Sequence, residues 1–352
     1  NMVEFMTDSH PVRSYREASD FIARVELFDE VLGANLIWLN EQKKLGIYAP
    51  RYVFDHVIKQ LKELIAFSDA ENPLFDVFQK KLEDLDVSDA KKEKLLSDLS
   101  VAIRDNVKPA FKAVLNFMES NYENANTHHG VWSLPDGENY YAARLRSYTT
   151  TDYTAEEIHQ IGLSEVARIG QRMKEIFLEL GYKVDKPVGA MMNDLNENPE
   201  FLYADTPNRK EIVIADYNRM VKEAEEEVGP YFNKVPVSPV EVRAVPEYSE
   251  KTAAGGYYQS PSLDGSRPGV FYANLYDIKQ TPTFGMRTLT FHEAVPGHHF
   301  QIALNLENSD LSLYRRFGYR TSAFTEGWAL YSEQLAVEIG MTKNLYDELG
   351  VL

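Results

Sequence analysis

Four residues near the end of the chain have the types and the spacing that metal chemistry requires. The stretch "HEAVPGHHFQ" begins with His292 and Glu293 and continues with His298 and His299. A His-Glu-x-x-His pattern on a helix places two histidines one turn apart, where both can reach one zinc ion. The second histidine of that pattern would stand where this chain has Pro296. A metal site here therefore depends on how the backbone passes the proline.

A regular helix cannot build this site. At about 100° per residue, His298 lies about 240° around a helix from His292. His299 returns to the correct face but lies about 10 Å farther along the axis, too far for one tetrahedral ion. Pro296 cannot continue the helical hydrogen bonds, and Gly297 permits nearly any backbone conformation. If these two residues bulge outward, His292 and His298 become the ligands, and His299 is left for packing or an outer contact.

A third ligand is expected from the next helix. The stretch "TSAFTEGWALYSEQLAVEIG" predicts an amphipathic helix that Glu326 opens, with Thr325 as its cap. A two-histidine zinc site commonly takes its third protein ligand from a carboxylate, and it keeps an open position where water is activated toward a pKa of about 7. Glu326 is otherwise a first-turn carboxylate favoured by the helix dipole. Glu333, two turns on, is either an outer partner of the site or a solvated surface residue.

The elements that must position these residues are predicted to be helices. Amphipathic periodicity predicts helices within 21–42, 51–67, 73–84 and 89–120. Thr154 with Glu157 forms a capping box before a long helix. Thr206-Pro207 opens another helix, which Gly229-Pro230 closes.

The sequence changes character near Val235, where a Pro-rich extended stretch begins. The stretches "GGYYQS" and "PGVFYANLYD" predict short strands, and a helix that starts at Thr281-Pro282 runs into the histidine motif. We therefore predict a mainly α fold, with a helical region over 1–234. A small β element and the metal-binding helix pair follow over 235–352, in one continuous domain.

Composition narrows the classes of partner. The chain has 352 residues and a net charge of −17, which argues against nucleic acid and anionic membrane surfaces. No apolar run is long enough for a membrane span. Cysteine is absent, so any metal must be bound by His, Asp or Glu, and an oxidising compartment is favoured. The chain has neither an initiator methionine nor a leader, and it ends within a helical pattern, so we expect a fragment of an exported protein, periplasmic or lipid-anchored.

The motifs resemble those of a known family. "TLTFHEAVPGHHFQ", "TEGWALYSE", "GVWSLPDGENYYAARLRSYTTTDYTAEEIHQIGL" and "GSRPGVFYANLYD" are similar to the bacterial domain of unknown function 885 family, placed among the gluzincin zinc metallopeptidases. The likeness covers most of the chain, although family members extend beyond both of its ends. It implies a helical fold around a gluzincin-like helix pair. It also implies His292, His298 and Glu326 as zinc ligands and Glu293 as the general base.

One departure from the thermolysin-like pattern concerns the outer partner of the first histidine. An aspartate is expected four residues after the ligand glutamate, but this chain has Leu330. The residue that orients His292 is therefore not assigned by the sequence.

The expected activity is zinc-dependent hydrolysis of peptide bonds, with short peptides as substrates. An edge strand for the substrate backbone would come from "GVFYANL", residues 269–275, or from "AGGYYQ". Candidates for contacts with the substrate or its oxyanion are Tyr257, Tyr258, Asn274, Tyr314, Tyr319, Arg316 and Arg320. Two alternatives stay open: a zinc amidase acting on a non-peptide or cell-wall amide, and a non-catalytic helical binding protein that retains the motif.

Overall fold

The computed structural model describes every residue except 1, 69, 70, 248, 249 and 252. It is mainly helical with one small sheet, which confirms the predicted fold class. The chain divides into two compact units, Asn1–Tyr141 and Ala142–Leu352. The change of sequence character near Val235 falls inside the second unit.

The first unit is built from helices around an apolar core. The core includes Phe21, Phe28, Phe78 and Leu99, which come from separate helices and are all almost fully buried. The helices are α1 Met2–Glu4, α2 Tyr15–Glu26, α3 Phe28–Lys44, α4 Arg51–Ala66, α5 Pro73–Glu83, α6 Asp89–Ala102 and α7 Lys108–Asn121, and α8 Gly137–Thr149 crosses the boundary between the units. Short π turns over Phe5–Ser9 and Ile103–Val107 extend α1 and join α6 to α7.

The second unit contains the remaining helices and the sheet. Its helices are α9 Ala155–Glu179, α10 Val188–Glu197, α11 Arg209–Val228, α12 Thr283–Glu293, α13 His298–Glu307, α14 Ser322–Glu338 and α15 Leu345–Val351. Its strands are β1 Val240–Ala244, β2 Gly256–Gln259 and β3 Gly269–Ala273, in the order β1-β3-β2. β1 pairs in parallel with β3, and β2 pairs antiparallel with β3. The buried face of the sheet packs Phe271 edge-to-face against Tyr217 of α11.

Local signals predicted some helix ends: Thr154 and Gly229 mark ends that the structure has, whereas the helix expected to open at Thr206-Pro207 begins at Arg209. The Thr154 capping box is present, with the Thr154 side chain accepting from the Glu157 N–H and the Glu157 carboxylate accepting in return. The stretch 21–42 is not one helix, because the backbone leaves the helical conformation at Leu27. Leu27 is exposed while Phe28 is buried, so the break turns Phe28 into the core. No helix in the described part of the chain combines the length and apolar character that a membrane span requires.

A buried ionic network fixes α12, the helix that carries the first histidine. The Arg287 guanidinium donates to Glu223 of α11 at 2.8 Å and pairs with Asp347 of α15 at 3.3 Å. The side chains of Arg287 and Asp347 are only 12% and 8% exposed, so loss of either partner would leave a buried charge without its counterion. α12 is therefore held against two other helices of its unit.

Candidate metal centre

The backbone breaks between α12 and α13, at the position that Pro296 and Gly297 predict. α12 ends at Glu293 and α13 begins at His298. A Cβ at Gly297 would lie 1.9 Å from the carbonyl oxygen of His292, so the chain can pass this point only with a glycine. The predicted outward bulge is thus a four-residue break between two helices. It brings the ring centroids of His292 and His298 to 4.8 Å from each other.

Two side chains of α14 hold this break in place, and sequence reasoning missed both. The Trp328 indole N–H donates to the Pro296 carbonyl at 2.7 Å, and the Ser332 hydroxyl is 3.0 Å from the Phe291 carbonyl. Both carbonyls lie where the helical hydrogen-bond pattern is interrupted. Trp328 supplies a donor to one of them, and the single proton of Ser332 is shared between the Phe291 carbonyl and the Ala329 carbonyl at 2.6 Å. The signal in the sequence is the "EGWALYSE" motif itself, which carries the tryptophan and the serine together with both glutamates.

His292, His298 and Glu326 form a group that could hold a metal ion. Their ligand atoms all lie within 4.8 Å of one another. Oε2 of Glu326 is 3.6 Å from Nε2 of His292 and 3.5 Å from Nε2 of His298. Two atoms bound to one tetrahedral zinc at about 2.0–2.1 Å lie about 3.3 Å apart. The two distances from Glu326 are close to this value, and two histidines with one carboxylate are a donor set that zinc accepts.

Glu326 lies in the second turn of α14, which corrects the expectation that it opens the helix. The helix begins at Ser322, and the side chain of Thr321, rather than Thr325, accepts the capping hydrogen bond from the Phe324 N–H. Thr325 instead donates its hydroxyl proton to the Thr321 carbonyl. Because Glu326 is beyond the first turn, the helix dipole does not explain its position.

Glu333 is the outer partner that the sequence left unassigned. Its Oε1 lies 2.7 Å from Nδ1 of His292, and its side chain is 12% exposed. A carboxylate accepts, so Nδ1 carries the proton, and in the neutral ring Nε2 presents its lone pair toward Glu326 and His298. The hydrogen bond to Glu333 is also the main cause that raises the pKa of His292. Leu330 is 66% exposed and takes no such role.

Glu293 is a buried carboxylate on the wall of the same cavity. Its residue is 6% exposed, and its buried Oε2 has no hydrogen-bond partner among the described residues. Burial raises the pKa of Glu293 to about 7; the neighbouring His292 lowers it, while Glu326 and Glu333 raise it further. An unpaired buried carboxylate oxygen beside a metal-ligand group can accept a proton from a water molecule there.

His299 is hydrogen-bonded to Tyr258 and is not part of the ligand group. Its Nδ1 lies 2.9 Å from the Tyr258 hydroxyl, and burial lowers its pKa to about 4, so the ring is neutral. A Cβ at Gly269 would come within 2.6 Å of both of these atoms, so the glycine leaves room for the pair. The expectation that His299 serves as packing or an outer contact agrees with this position.

The metal-ligand group opens onto a cavity of about 560 Å³, here called the metal cavity. Tyr257, Tyr258 and Arg320 lie on its wall with the ligand residues. Tyr314 and Tyr319 do not; they line an adjoining cavity of about 630 Å³, here called the aromatic cavity, which Arg320 also lines. The structure therefore places three of the predicted contact residues at the metal-ligand group and three beside it, since Arg316 also lines the aromatic cavity.

Asn274 lies away from both cavities, and the guanidinium of Arg316 is hydrogen-bonded to the backbone although the residue lines the aromatic cavity. The buried Asn274 amide donates to the carbonyls of Glu250 and Ala253 at 2.8 and 3.2 Å, and its oxygen accepts from the Tyr276 N–H. Asn274 thus ties together the loops beside the sheet and does not line the metal cavity. The Arg316 guanidinium donates to the Leu306 carbonyl at 2.8 Å from Nε. Their residue types suggested substrate contacts, but backbone groups close to them take those hydrogen bonds.

A broken helix with two histidines, packed against a second helix with two glutamates, defines a protein with a candidate metal centre. The chain belongs to the family described as bacterial protein of unknown function (DUF885), which matches residues 1–352. Its structure is similar to a solved structure described as that of "the putative lipoprotein from Colwellia psychrerythraea", with a TM-score of 0.94 and 36% sequence identity. That similarity covers 98% of this chain and 59% of the other, so this chain spans less than two thirds of that protein's length. No curated protein matches the chain.

Proposed function

We propose that this protein is a zinc-dependent peptidase whose zinc ligands are His292, His298 and Glu326. The observation that carries the proposal is the convergence of these three ligands within 4.8 Å, on a cavity that also holds the buried carboxylate of Glu293. Two neutral imidazoles and one carboxylate are a donor set that suits a catalytic zinc ion.

Zinc bound there would supply a Lewis acid for the scissile carbonyl and lower the pKa of a bound water to about 7. Glu293 accepts the proton of the attacking water at its unpaired Oε2 and passes it to the leaving amine. Glu333 holds the Nδ1 proton of His292 and so fixes the ring in the orientation that the ligand role needs. Tyr257 is the candidate on the cavity wall for a hydrogen bond to the developing oxyanion, because the Tyr258 hydroxyl is already hydrogen-bonded to His299.

The strand that would pair with a substrate backbone is β2. β3 lies in the middle of the three-stranded sheet, and its residues 270–273 have pairing partners on both sides, so this strand is excluded. β2 is an edge of that sheet, and Gly256, Tyr257 and Tyr258 lie on the wall of the metal cavity. An extended peptide added to β2 would therefore pass beside the ligand group.

The test is hydrolysis of a peptide library by the zinc-loaded protein, followed by mass spectrometry. Glu293→Gln preserves the size of the side chain and removes the base, so we expect full zinc content and a loss of about 10²–10⁴-fold in kcat. Glu338→Gln is the matched control, because Glu338 lies exposed at the end of α14.

Each of the alternatives has its own outcome in that assay. Zinc-loaded wild type that cleaves no peptide refutes the peptidase proposal. Turnover of cell-wall stem peptides or non-peptide amides alone would support the amidase. Zinc binding without turnover of any amide would support a binding protein that retains the motif.

We also propose that the natural protein is exported. Cysteine is absent, and the similar solved structure carries the description of a lipoprotein. Fractionation of cells that express the natural gene tests this: we expect the protein in the envelope fraction, and recovery with cytosolic markers would contradict it.

A further inference from the structure

One arginine connects the metal cavity to the aromatic cavity. Arg320 lies on the walls of both. Among the described residues that line the metal cavity, it alone is a lysine or arginine, and its guanidinium has neither a hydrogen bond nor an ion pair within the described part of the chain. A chain with a net charge of −17 thus places one arginine, without an ion pair among the residues that the structure describes, beside its candidate metal centre.

The wall of the aromatic cavity combines apolar side chains with arginines. Leu311, Tyr314 and Phe324 contribute apolar surface, and three arginines but no carboxylate lie among the described residues around it. Such a wall accepts an apolar group next to an anion.

The segment 314–319, directly before Arg320, is held by hydrogen bonds, so the backbone position of Arg320 is fixed. Tyr314 begins a π turn that ends at Gly318, where a Cβ would lie 2.8 Å from the Tyr314 ring. The Tyr319 N–H donates to the Tyr314 carbonyl at 2.9 Å, and the Asn305 amide donates to the Arg316 carbonyl at 3.2 Å. These contacts tie the segment to itself and to α13, directly before α14 begins.

We propose that Arg320 binds the free C-terminal carboxylate of a peptide substrate, with the last side chain, an apolar one, in the aromatic cavity. The inference rests on the proposed peptidase function and assigns it a substrate class: peptides cleaved close to their C-terminus. The metal cavity has the volume of a sphere about 10 Å across, the length of about three extended residues. A carboxylate held by Arg320 therefore lies within a few residues of the bond that is cleaved.

The chemistry of the pair explains why the terminal carboxylate is the favoured anion. A guanidinium forms two parallel hydrogen bonds to a carboxylate, and this geometry fixes orientation as well as affinity. The step itself is hydrolysis: the C–N bond breaks, the carbonyl carbon takes the hydroxyl of water, and the amine nitrogen takes its proton. The products are a shortened peptide with a new carboxylate and a short fragment that retains the original one.

The first arm of the test measures binding without metal, because carboxylates also bind zinc. N-acetyl-phenylalanine and N-acetyl-phenylalaninamide are titrated into metal-free protein and followed by NMR. We expect the acid to bind about 10- to 100-fold more tightly than the amide, the range for a charge-assisted contact. Arg320→Met should reduce the affinity for the acid to that for the amide. Lys234→Met, which removes an exposed charge outside both cavities, should retain the preference.

The second arm compares hydrolysis of peptides that differ only in a terminal carboxylate or carboxamide. We expect the zinc-loaded wild type to prefer the acid by a similar factor in kcat/KM and Arg320→Met to lose the preference while keeping its zinc. Equal binding of acid and amide, no binding of either, or an unchanged preference in Arg320→Met overturns the inference. Equal hydrolysis of both peptides would overturn the inference while leaving the peptidase proposal standing, and zinc-loaded protein that cleaves neither would refute the peptidase proposal.

Discussion

Replacing Glu333 by alanine should weaken zinc binding by about 10- to 100-fold, although Glu333 is not a ligand. Its Oε1 lies 2.7 Å from Nδ1 of His292, and its side chain is 12% exposed, so little water competes for this hydrogen bond. Without the carboxylate, the proton of His292 is no longer fixed at Nδ1, and the ring can rotate or present the wrong tautomer. The expected loss corresponds to about 1.4–2.7 kcal/mol of binding free energy.

Zinc affinity is measured by competition with a chromophoric chelator at fixed pH. Glu333→Gln retains an oxygen that can accept the His292 proton, so its loss should be smaller than that of Glu333→Ala. Glu338→Ala, on the exposed end of the same helix, should bind zinc as wild type does. If Glu333→Ala binds zinc as tightly as wild type while His298→Ala does not, the assigned role of Glu333 is wrong.

Two other substitutions distinguish the role of the break between α12 and α13 from the role of the loops around the sheet. Gly297→Ala places a Cβ 1.9 Å from the His292 carbonyl oxygen, so we expect an unfolding free energy lower by at least about 3 kcal/mol and loss of zinc. If denaturant unfolding gives the stability of the wild type, the close approach of Gly297 to this oxygen is wrong. Asn274→Ala removes three hydrogen bonds away from the metal cavity and should lower the unfolding free energy by about 2–4 kcal/mol, with zinc affinity retained. A change confined to zinc affinity would instead place Asn274 at the metal centre.

The histidine motif could be interpreted from the sequence because its chemistry is local. Pro296 and Gly297 interrupt a helix for reasons that depend on their own backbones, and the capping box at Thr154 is complete within four residues. Glu326 was expected from the ligand count that a zinc site needs, and the structure places its carboxylate beside both histidines. These features do not require knowledge of which distant segments meet.

The outer contacts of the site depend on segments far apart in the sequence. Glu333 with His292, and Tyr258 with His299, each join residues 41 positions apart. Their residue types fit a surface or packing role equally well, so only the fold decides between the alternatives. The same reason explains why Asn274, a reasonable candidate by type, belongs to a loop network.

The central claim is that His292, His298 and Glu326 bind zinc together, and the zinc content of protein purified without added metal or chelator tests it most directly. We expect about one zinc per wild-type chain, and loss or strong weakening in both His298→Ala and Glu326→Gln. Wild-type protein that takes up no zinc even when zinc is supplied, or variants that retain it as tightly as wild type, would contradict the claim.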